Sequence, residues 1–458
     1  MASLHNYPLA PLDELKSQFV GQNIEYLDTP AILLDRAILK KNCDAMLNVC
    51  SELGVGFRAH VKSHKTLELS KLQVGETGPA NFIVSTVIEA ERLAACLAEF
   101  QSRGREASVL YGVPVPQSAI SRLIKVADSL APRSVNIIID NKDAFLQFHQ
   151  RLIESKSAIE IGVFVKIDTG YQRAGIKTSS PDFSSLLTTI ASKKSSPGTY
   201  LKGFYSHFGH SYAGNSEDDA ANGLIEELIG LEAAITAVPS SHSEKLILSV
   251  GATPTATAAQ NLLSSTTIAS QNFRSVLARL KEKNRVELHA GVYPLLDCQQ
   301  VATHARPSSG QASPSFQPLS LDNIAITMLV EVTSVYEERE KPEALVSAGS
   351  LAMGREPCKS YPGWGIVTNT LGNANTKSVY NEQEGKTGWI VGRISQEHGI
   401  LTWEGDASQC NPLGIGDKVS IWPNHACVAG AGFGWYLITD SGQDGKKVVD
   451  VWVRWRGW

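Results

Sequence analysis

The chain has 458 residues, of which 43% are hydrophobic and 19% charged, and its formal net charge at pH 7 is −4. This composition is ordinary for a soluble globular enzyme, and the charge argues against nucleic acid or an anionic membrane as a partner. No apolar run approaches the roughly 18 residues that span a bilayer, and the segment 1–19 lacks the apolar core of a secretory signal. Seven cysteines in this length do not form a disulfide framework, so we expect a cytoplasmic setting with reduced thiols.

Eight β-rich runs, each followed by a helix-like stretch, organise the first two thirds of the chain. They cover residues 57–62, 82–86, 107–112, 135–140, 161–168, 203–207, 246–250 and 285–290. The stretch from Val87 to Ala95 is one example of helical apolar spacing between two of them. Eight strands that alternate with helices predict a parallel (β/α)8 barrel, which we assign to residues 27–305.

A change of pattern follows the segment from Ala305 to Ser315, whose Pro, Ser and Gly content is typical of a loop or linker. Beyond it helical periodicity is mostly absent, and short β-rich runs are separated by Gly- and Pro-containing turns. Those runs include Val330–Val332, Trp389–Val391, Val419–Trp422 and Val451–Val453. They predict a second, all-β domain over residues 320–458, on which residues 1–26 can pack. The predicted fold class is α/β with an appended β-domain.

The segment from Phe57 to Thr66 carries the most chemical information. Side chains alternate along a strand, so Arg58, His60 and Lys62 share one face. A lysine at the C-terminal end of an early barrel strand lies where barrels place catalytic groups. Lysine also forms the Schiff base with pyridoxal 5′-phosphate (PLP) in PLP enzymes. A basic edge of a surface strand is the alternative.

Two further strand ends offer contacts to a cofactor. Arg173 follows a glycine-containing turn after the fifth strand and can reach an anionic oxygen, although a solvated loop arginine is the alternative. Tyr205 and His207 share one face of the sixth strand with Gly203. Polar groups that face into a barrel need partners, and a satisfied core histidine is the alternative for His207.

The last two strand ends predict a phosphate site. Small residues and hydroxyls from Leu248 to Thr255 let backbone N–H groups approach a phosphate. A second glycine-centred loop, from Glu287 to Pro294, follows the eighth strand. Barrels often bind phosphate with the loops after strands seven and eight, which is where these two loops fall.

His425 and Cys427 form a candidate metal pair just after the run Val419–Trp422. Positions two apart in an extended segment point the same way, and imidazole and thiolate are both good zinc ligands. A coincidental His-x-Cys is the alternative. The nearby loop with Glu397 and His398 can supply another ligand or a supporting contact.

With these residues in place, the chain resembles the eukaryotic D-serine dehydratases, PLP enzymes that share the fold of alanine racemase and D-threonine aldolase. Each matching piece is weak alone, but their order and spacing together are specific. The pieces are Asp28–Pro30, Arg58–Thr66, Glu89–Glu91, Tyr205–Gly209, Ser249–Thr255, Ala348–Ser350, Glu397–Gly399, Pro423–Cys427 and Arg456–Trp458.

The resemblance implies conversion of D-serine to pyruvate and ammonia by a PLP- and zinc-dependent α,β-elimination, in a homodimer. It implies that Lys62 rather than Lys65 carries PLP and that His425 and Cys427 hold the zinc. It places Arg173 near the phenolic oxygen of PLP and the remaining candidates around its phosphate or ring. Those near the phosphate are Ser249, Gly251, Thr253, Gly291 and Val292; those near the ring or its nitrogen are Tyr205 and His207.

Some positions depart from the family pattern. Ala59, Ala252 and Val428 stand where proline, serine and a nearby threonine are common. His289 occupies the place of the racemase arginine against the pyridine nitrogen, which speaks against racemase activity. D-Threonine aldolases usually carry His-x-Asp at the metal, so Cys427 favours the dehydratase. A D-threonine aldolase and a non-catalytic PLP carrier remain the alternatives, although such carriers lack a β-domain.

Overall fold

Eight parallel strands close into a barrel in the computed structural model of the protein, which describes residues 7–239, 242–370, 379–383 and 385–458. The chain begins outside this barrel with α1 (Leu12–Phe19) and β1 (Ala31–Asp35). The barrel strands then pair in chain order: β2 (Gly56–His60), β3 (Ala80–Val84), β4 (Ala107–Pro114), β5 (Val135–Ile139), β6 (Glu160–Lys166), β7 (Gly198–Tyr205), β8 (Ile247–Val250) and β9 (Arg285–Ala290). The barrel closes where Ala59 of β2 pairs with Ala290 of β9, so the predicted eight-stranded barrel is confirmed.

Helices follow the strands around the outside of the barrel. They are α2 (Arg36–Leu53), α3 (Leu67–Val74), α4 (Val87–Ser102), α5 (Gln117–Asp128), α6 (Lys142–Glu154), α7 (Pro181–Ser192), α8 (Glu217–Thr236), α9 (Thr253–Leu262) and α10 (Ile268–Lys283). Local sequence sets their ends, as α2 illustrates. The Asp35 carboxylate caps its first turn by accepting from the amides of Ala37 and Ile38, and Gly54 ends it with φ of 60°.

The interior of the barrel is filled by side chains rather than open. Ile83, Leu110, Ile138, Phe164 and Ile247 form an inner apolar cluster with Tyr205. Outward-facing residues of the same strands pack on the helices, so both faces of the sheet are buried and the strands read as near-continuous apolar runs. Polar chemistry is therefore confined to the two ends of the barrel, and the C-terminal end is the one that barrels use for catalysis.

Beside the barrel, the chain forms a nine-stranded, mostly antiparallel sheet. Its strand order is β11-β14-β13-β12-β15-β10-β1-β16-β17. Its strands after the barrel are β10 (Ile326–Tyr336), β11 (Glu343–Val346), β12 (Gly365–Thr370), β13 (Gly388–Ile394), β14 (Gly399–Glu404), β15 (Lys418–Pro423), β16 (Trp435–Thr439) and β17 (Asp450–Val453). Three single-turn helices accompany them: α11 (Cys298–Val301), α12 (Ser350–Met353) and α13 (Ala426–Ala429). The predicted all-β region is confirmed.

The N-terminal segment joins this sheet instead of the barrel. β1 pairs antiparallel with β10 and parallel with β16, although its residues fall within the range 27–305 that the sequence assigns to the barrel. Helix α1 packs on the same sheet, where Leu15 contacts an apolar cluster and Lys16 forms an ion pair of 2.9 Å with Asp450. Residues 1–6 of the predicted packing segment lie outside the described residues, and the domain bounds themselves stay a prediction.

The connection between barrel and sheet is irregular, as predicted, but it is well packed. The Arg306 guanidinium is buried and donates to the carbonyl of Gln317 at 3.1 Å. The Asn48 side chain of α2 donates to the carbonyl of Pro314 at 2.8 Å. All seven cysteines lie in the described residues and none is in a disulfide, and no described helix is long and apolar enough to cross a membrane.

Candidate active site at the C-terminal mouth of the barrel

Lys62 lies in the turn that follows β2, at the C-terminal mouth of the barrel. The strand ends at His60, two residues earlier than predicted, because the backbone leaves the sheet in a tight turn. The amides of His64 and Lys65 both donate to the carbonyl of Val61, at 3.3 and 2.9 Å. Lys62 is thus the first residue of the turn and not the last of the strand.

The structure separates the two lysines of this turn. The Lys65 ammonium forms an ion pair of 2.9 Å with the fully buried carboxylate of Glu89. Lys62 forms no ion pair with any residue that the structure describes. Gly291 leaves room beside it, since a Cβ there would come within 3.3 Å of the Lys62 Cε. Lys62 is therefore the lysine that is available to a ligand.

Tyr205 and His289 form a flat pair inside the mouth. Their rings stack with centroids 4.2 Å apart and planes within 10° of parallel. The Ser249 hydroxyl lies 3.0 Å from His289 Nδ1, whereas His289 Nε2 is buried without a hydrogen-bond partner among the described residues. Buried polar atoms are normally paired, so this nitrogen marks a place where a ligand atom can bind.

His207 and Gly251 connect the ends of β7 and β8. His207 Nδ1 donates to the carbonyl of Gly251 at 2.8 Å, and the Gly251 amide donates to the Glu227 carboxylate at 3.1 Å. Gly251 has φ of 138°, and a Cβ there would lie 2.3 Å from the carbonyl oxygen of His289, so only glycine fits. Its amide is already engaged by Glu227, which leaves packing and chain direction as its contribution to the site.

The loops after β8 and β9 are tied together where phosphate binding is predicted. Thr253 begins α9, and its hydroxyl accepts a hydrogen bond of 3.1 Å from the amide of the buried Val292. Thr253 and Val292 thus meet at the N-terminus of α9, whereas Ser249 lies in β8 and its hydroxyl contacts His289. Such a terminus presents unpaired N–H groups and a partial positive charge, which favour an anion.

Positive charge dominates this mouth. Burial, followed by the charge of Lys62, lowers the pKa of both His60 and His207 well below 6.5, and burial followed by Lys166 does the same for His289. Burial and the neighbouring Arg173 lower the pKa of Lys166 to about 8, and its ammonium lies 4.7 Å from the Tyr205 ring centroid. Neutral imidazoles among cationic groups suit a planar, anionic ligand, so the residues fit PLP.

Arg173 lies at the rim of the mouth. Its guanidinium is exposed and sits 5.1 Å from the ring centroid of Tyr171. Its charge contributes to the lowered pKa of both Lys166 and His207, which puts it within electrostatic reach of the pocket.

His425 and Cys427 face the same mouth from the second sheet. His425 lies two residues after the end of β15 and caps α13, and Cys427 lies in that single turn. Burial, then the charge of Lys62, lowers the pKa of His425 to about 4; burial raises the pKa of Cys427 to about 11, and Lys62 opposes that rise. His425 Nδ1 lies 2.6 Å from Oε1 of Gln299, on the segment that follows β9, so the pair lies against the C-terminal end of the barrel.

The donor chemistry of this pair fits zinc, with two protein ligands and positions left for oxygen ligands. No group of three or more His, Cys, Asp or Glu residues that could hold a metal occurs in the described parts of the chain. Glu397 and His398, considered above as a further source of ligands, are both exposed on the turn before β14.

Several residues of the site escaped the sequence analysis. Lys166 ends β6 much as Lys62 follows β2, and this parallel is a signal that a closer reading could have used. Glu227, Asp297 and Gln299 carry no comparable signal, because each acts through contacts to distant segments. Glu227 is fully buried, and burial raises its pKa to about 7 while bonds from Gly251 and Thr255 oppose the rise.

Comparison with known proteins shows the family and the fold of the chain. Residues 34–269 match the family model "Alanine racemase, N-terminal domain", and residues 325–439 match "Putative serine dehydratase domain". The chain is 36% identical to D-serine dehydratase of Schizosaccharomyces pombe, covering 97% of this chain and 96% of that protein. It is 30% identical to D-serine dehydratase of Saccharomyces cerevisiae, covering 98% and 100%. The structure of D-threo-3-hydroxyaspartate dehydratase from Delftia sp. HT23 shares the fold, with a TM-score of 0.72 at 24% identity over 95% of this chain and all of that one.

Proposed function

The chain belongs to the D-serine dehydratase family, and we propose that it converts D-serine to pyruvate and ammonia with PLP and zinc. The observation that supports the proposal is that Lys62 follows β2 at the C-terminal mouth, while His425 contacts Gln299 on the segment after β9 at the same end of the barrel. Fold alone does not assign a reaction, since one barrel serves many chemistries. A free lysine beside a two-ligand metal pair suits an elimination that must remove a proton and a hydroxide from neighbouring carbons.

The residues of the mouth divide into those that hold the cofactor and those that act on substrate. Lys62 would hold PLP covalently, the Tyr205–His289 stack would lie against its ring, and the loops with Thr253 and Val292 would face its phosphate. His425 and Cys427 would hold zinc. When bound, PLP accepts electron density from Cα of the amino acid and zinc acts as a Lewis acid toward the β-hydroxyl.

Lys62 Nζ is the group we assign to the Cα proton. No carboxylate pairs with it among the described residues, and as a neutral amine it could take the proton from a substrate held beside it. Loss of the β-hydroxyl as water leaves an enamine, whose hydrolysis yields pyruvate and ammonia. Overall, D-serine becomes pyruvate plus ammonia with no net oxidation.

The test is pyruvate release from D-serine by the purified protein loaded with PLP and zinc, with and without a strong chelator. We expect release that the chelator stops and added zinc restores, and no release from L-serine. A fully loaded protein that releases no pyruvate, but cleaves D-threonine to glycine and an aldehyde, would replace the dehydratase by an aldolase. Pyruvate release that continues after complete metal removal would take zinc out of the proposal.

A further inference from the structure

Gln299 reaches from the barrel side to His425. The residue lies in α11, the single turn that leads from the barrel toward the second sheet, and its Oε1 is 2.6 Å from His425 Nδ1. Its Nε2 donates to the backbone carbonyl of Pro357 at 2.8 Å. A backbone carbonyl can only accept, so the amide nitrogen must face Pro357 and the amide oxygen must face the imidazole.

This orientation determines the tautomer of His425. The Gln299 oxygen has no proton to give, so Nδ1 must carry the hydrogen and donate it. A neutral imidazole with its proton on Nδ1 has its free lone pair on Nε2. The one hydrogen bond therefore leaves Nε2 as the nitrogen that can bind a metal, and it also holds the plane of the ring.

The backbone on both sides of His425 is tied to the same helical turn. The amide of Gln299 donates to the carbonyl of Asn424 at 3.1 Å. The fully buried Asp297 carboxylate accepts from the amide of Ala426 at 2.9 Å through Oδ2 and from the amide of Gln300 at 2.8 Å through Oδ1. These bonds link the residue before His425 and the residue after it to α11, so Gln299 and His425 cannot move apart independently.

Asn424 fastens the turn from the other side. Its side-chain amide donates to the carbonyls of Glu356 and Gly363, at 2.9 and 2.8 Å, and its oxygen accepts from the Tyr361 hydroxyl. The segment Glu356–Gly363 contains Pro357, whose carbonyl accepts from Gln299. These bonds therefore attach that segment to Asn424, the residue before His425. The whole hydrogen-bond chain is closed and leaves little freedom to rotate the Gln299 amide.

We propose that Gln299 is a positioning residue that presents His425 Nε2 to zinc. This inference rests on the proposed function, because it takes His425 and Cys427 as the zinc pair. It adds a residue that neither the motif nor the resemblance identifies. Partners that hold the second nitrogen of a metal-bound imidazole typically account for 10–100-fold in metal affinity.

The experiment compares Gln299→Met, Gln299→Glu and Gln383→Met by competition for zinc with a chromophoric chelator, at one pH and with PLP bound. Methionine keeps the length of the side chain but cannot accept the hydrogen bond, whereas glutamate keeps an acceptor oxygen. Gln383 is a matched control, because its amide lies 3.3 Å from Nδ1 of another histidine, His304, on the surface. PLP absorbance and far-ultraviolet circular dichroism report whether each variant keeps its cofactor and fold.

We expect Gln299→Met to bind zinc about 10–100-fold more weakly with unchanged PLP absorbance, while Gln299→Glu recovers most of the affinity and Gln383→Met matches the parent. Parent-like zinc affinity in Gln299→Met, with the parent protein binding zinc, would overturn this inference alone. Equal losses in the Met and Glu variants would overturn it as well, because the acceptor oxygen would then not matter. A parent protein that binds no zinc would overturn the zinc part of the proposed function and this inference with it.

Discussion

Both ends of the barrel carry clustered positive charge, and each end pairs part of it. The buried Arg58 at the N-terminal end is paired, whereas the buried Lys166 at the C-terminal end has no ion pair among the described residues. At the N-terminal end, around a cavity of about 660 Å³, Arg58 pairs with Glu287 at 2.6 Å and Arg133 pairs with Glu160 at 2.8 Å. At the C-terminal end, Lys62 and Lys166 form no ion pair within the described residues. Proteins rarely leave buried charge without a partner unless a ligand provides it.

The comparison separates residues that we expect to stabilise the barrel from residues that we propose to act in catalysis. We expect the paired Arg58 at the N-terminal end to stabilise the barrel, and we propose that Lys62 and Lys166 at the C-terminal end bind the anionic cofactor. The same division is expected of barrels in general, whose catalytic groups sit at the C-terminal ends of the strands. Substitutions at the two ends should therefore have effects of different kinds, on turnover at one and on folding at the other.

The largest effect should come from Lys62. We expect Lys62→Arg to lower pyruvate release by at least about 10³-fold, because arginine keeps the charge but neither bonds to PLP nor takes the Cα proton. Lys65→Arg is the matched control, since arginine can still pair with Glu89, and it should keep most of the activity. Substantial turnover in Lys62→Arg would break the contrast between the two ends.

Removal of the thiolate should come next. We expect Cys427→Ala to lose zinc and to lower turnover by about 10²–10³-fold, because Lewis-acid stabilisation of a leaving hydroxide is worth several kcal/mol. Cys410→Ala, which removes another half-buried thiol of the second sheet, should match the parent in zinc content and rate. Metal analysis and pyruvate assays on the same samples check both, and full activity in metal-free Cys427→Ala would contradict the assignment.

At the opposite end, the effect should be on stability. Arg58→Met leaves the buried Glu287 carboxylate without its partner, and we expect a loss of about 3–5 kcal/mol in unfolding free energy. Denaturant unfolding measures it, and the double variant Arg58→Met with Glu287→Leu should recover most of the loss because no charge stays unpaired. If Arg58→Met alone is as stable as the parent, the Arg58–Glu287 pair does not stabilise the barrel.

The smallest effect should come from one histidine of the C-terminal end, His64, on acidification. Burial lowers the pKa of His64 from 6.5 to about 3, although its hydrogen bond to Gln73 opposes the shift, and the Thr66 amide donates to the Nδ1 of its ring. Below pH 6.5 the unfolded chain takes up a proton that the folded chain refuses, so stability falls as pH falls from 6.5 toward 3. Between pH 7 and pH 5 this histidine should account for about 2 kcal/mol.

The check is urea unfolding at both pH values for the parent and for His64→Gln, whose glutamine keeps a polar side chain in this position. The pH-dependent loss should be smaller in the variant by about that amount. An identical pH dependence in the two proteins would show that His64 is not held neutral. Both proteins keep the Arg–Glu pairs at the N-terminal end, so these pairs should leave the difference unchanged.

Sequence reasoning recovered the parts of the site that depend on local pattern. The eight strand runs, the lysine after the first of them and the His425–Cys427 spacing are all visible within a few residues. Lys62 could be ranked by its place at a strand end, because barrel topology brings all such ends to one mouth. The predicted end of β2 at residue 62 was wrong. The turn that contains Lys62 depends on hydrogen bonds to the Val61 carbonyl, which no local sequence pattern predicts.

Contacts between distant segments were out of reach. The run Ala31–Asp35 falls within the range 27–305 that the sequence assigns to the barrel, but it pairs with β10 and β16, about 300 and 400 residues away. Gln299 reaches His425 across 126 positions, and Glu227 acts on Gly251 through a helix. Such contacts depend on tertiary packing. Neither hydrophobic periodicity nor secondary-structure propensity can predict them.

The most direct test of the contrast between the two ends is to find which lysine holds the cofactor. The PLP-loaded protein would be reduced with borohydride, digested and mapped by mass spectrometry for the pyridoxyl group. We expect the label on Lys62 alone, with Lys65 and Lys166 unmodified. A label on either of these, or on a lysine at the N-terminal end such as Lys202, would contradict the account of the barrel mouth.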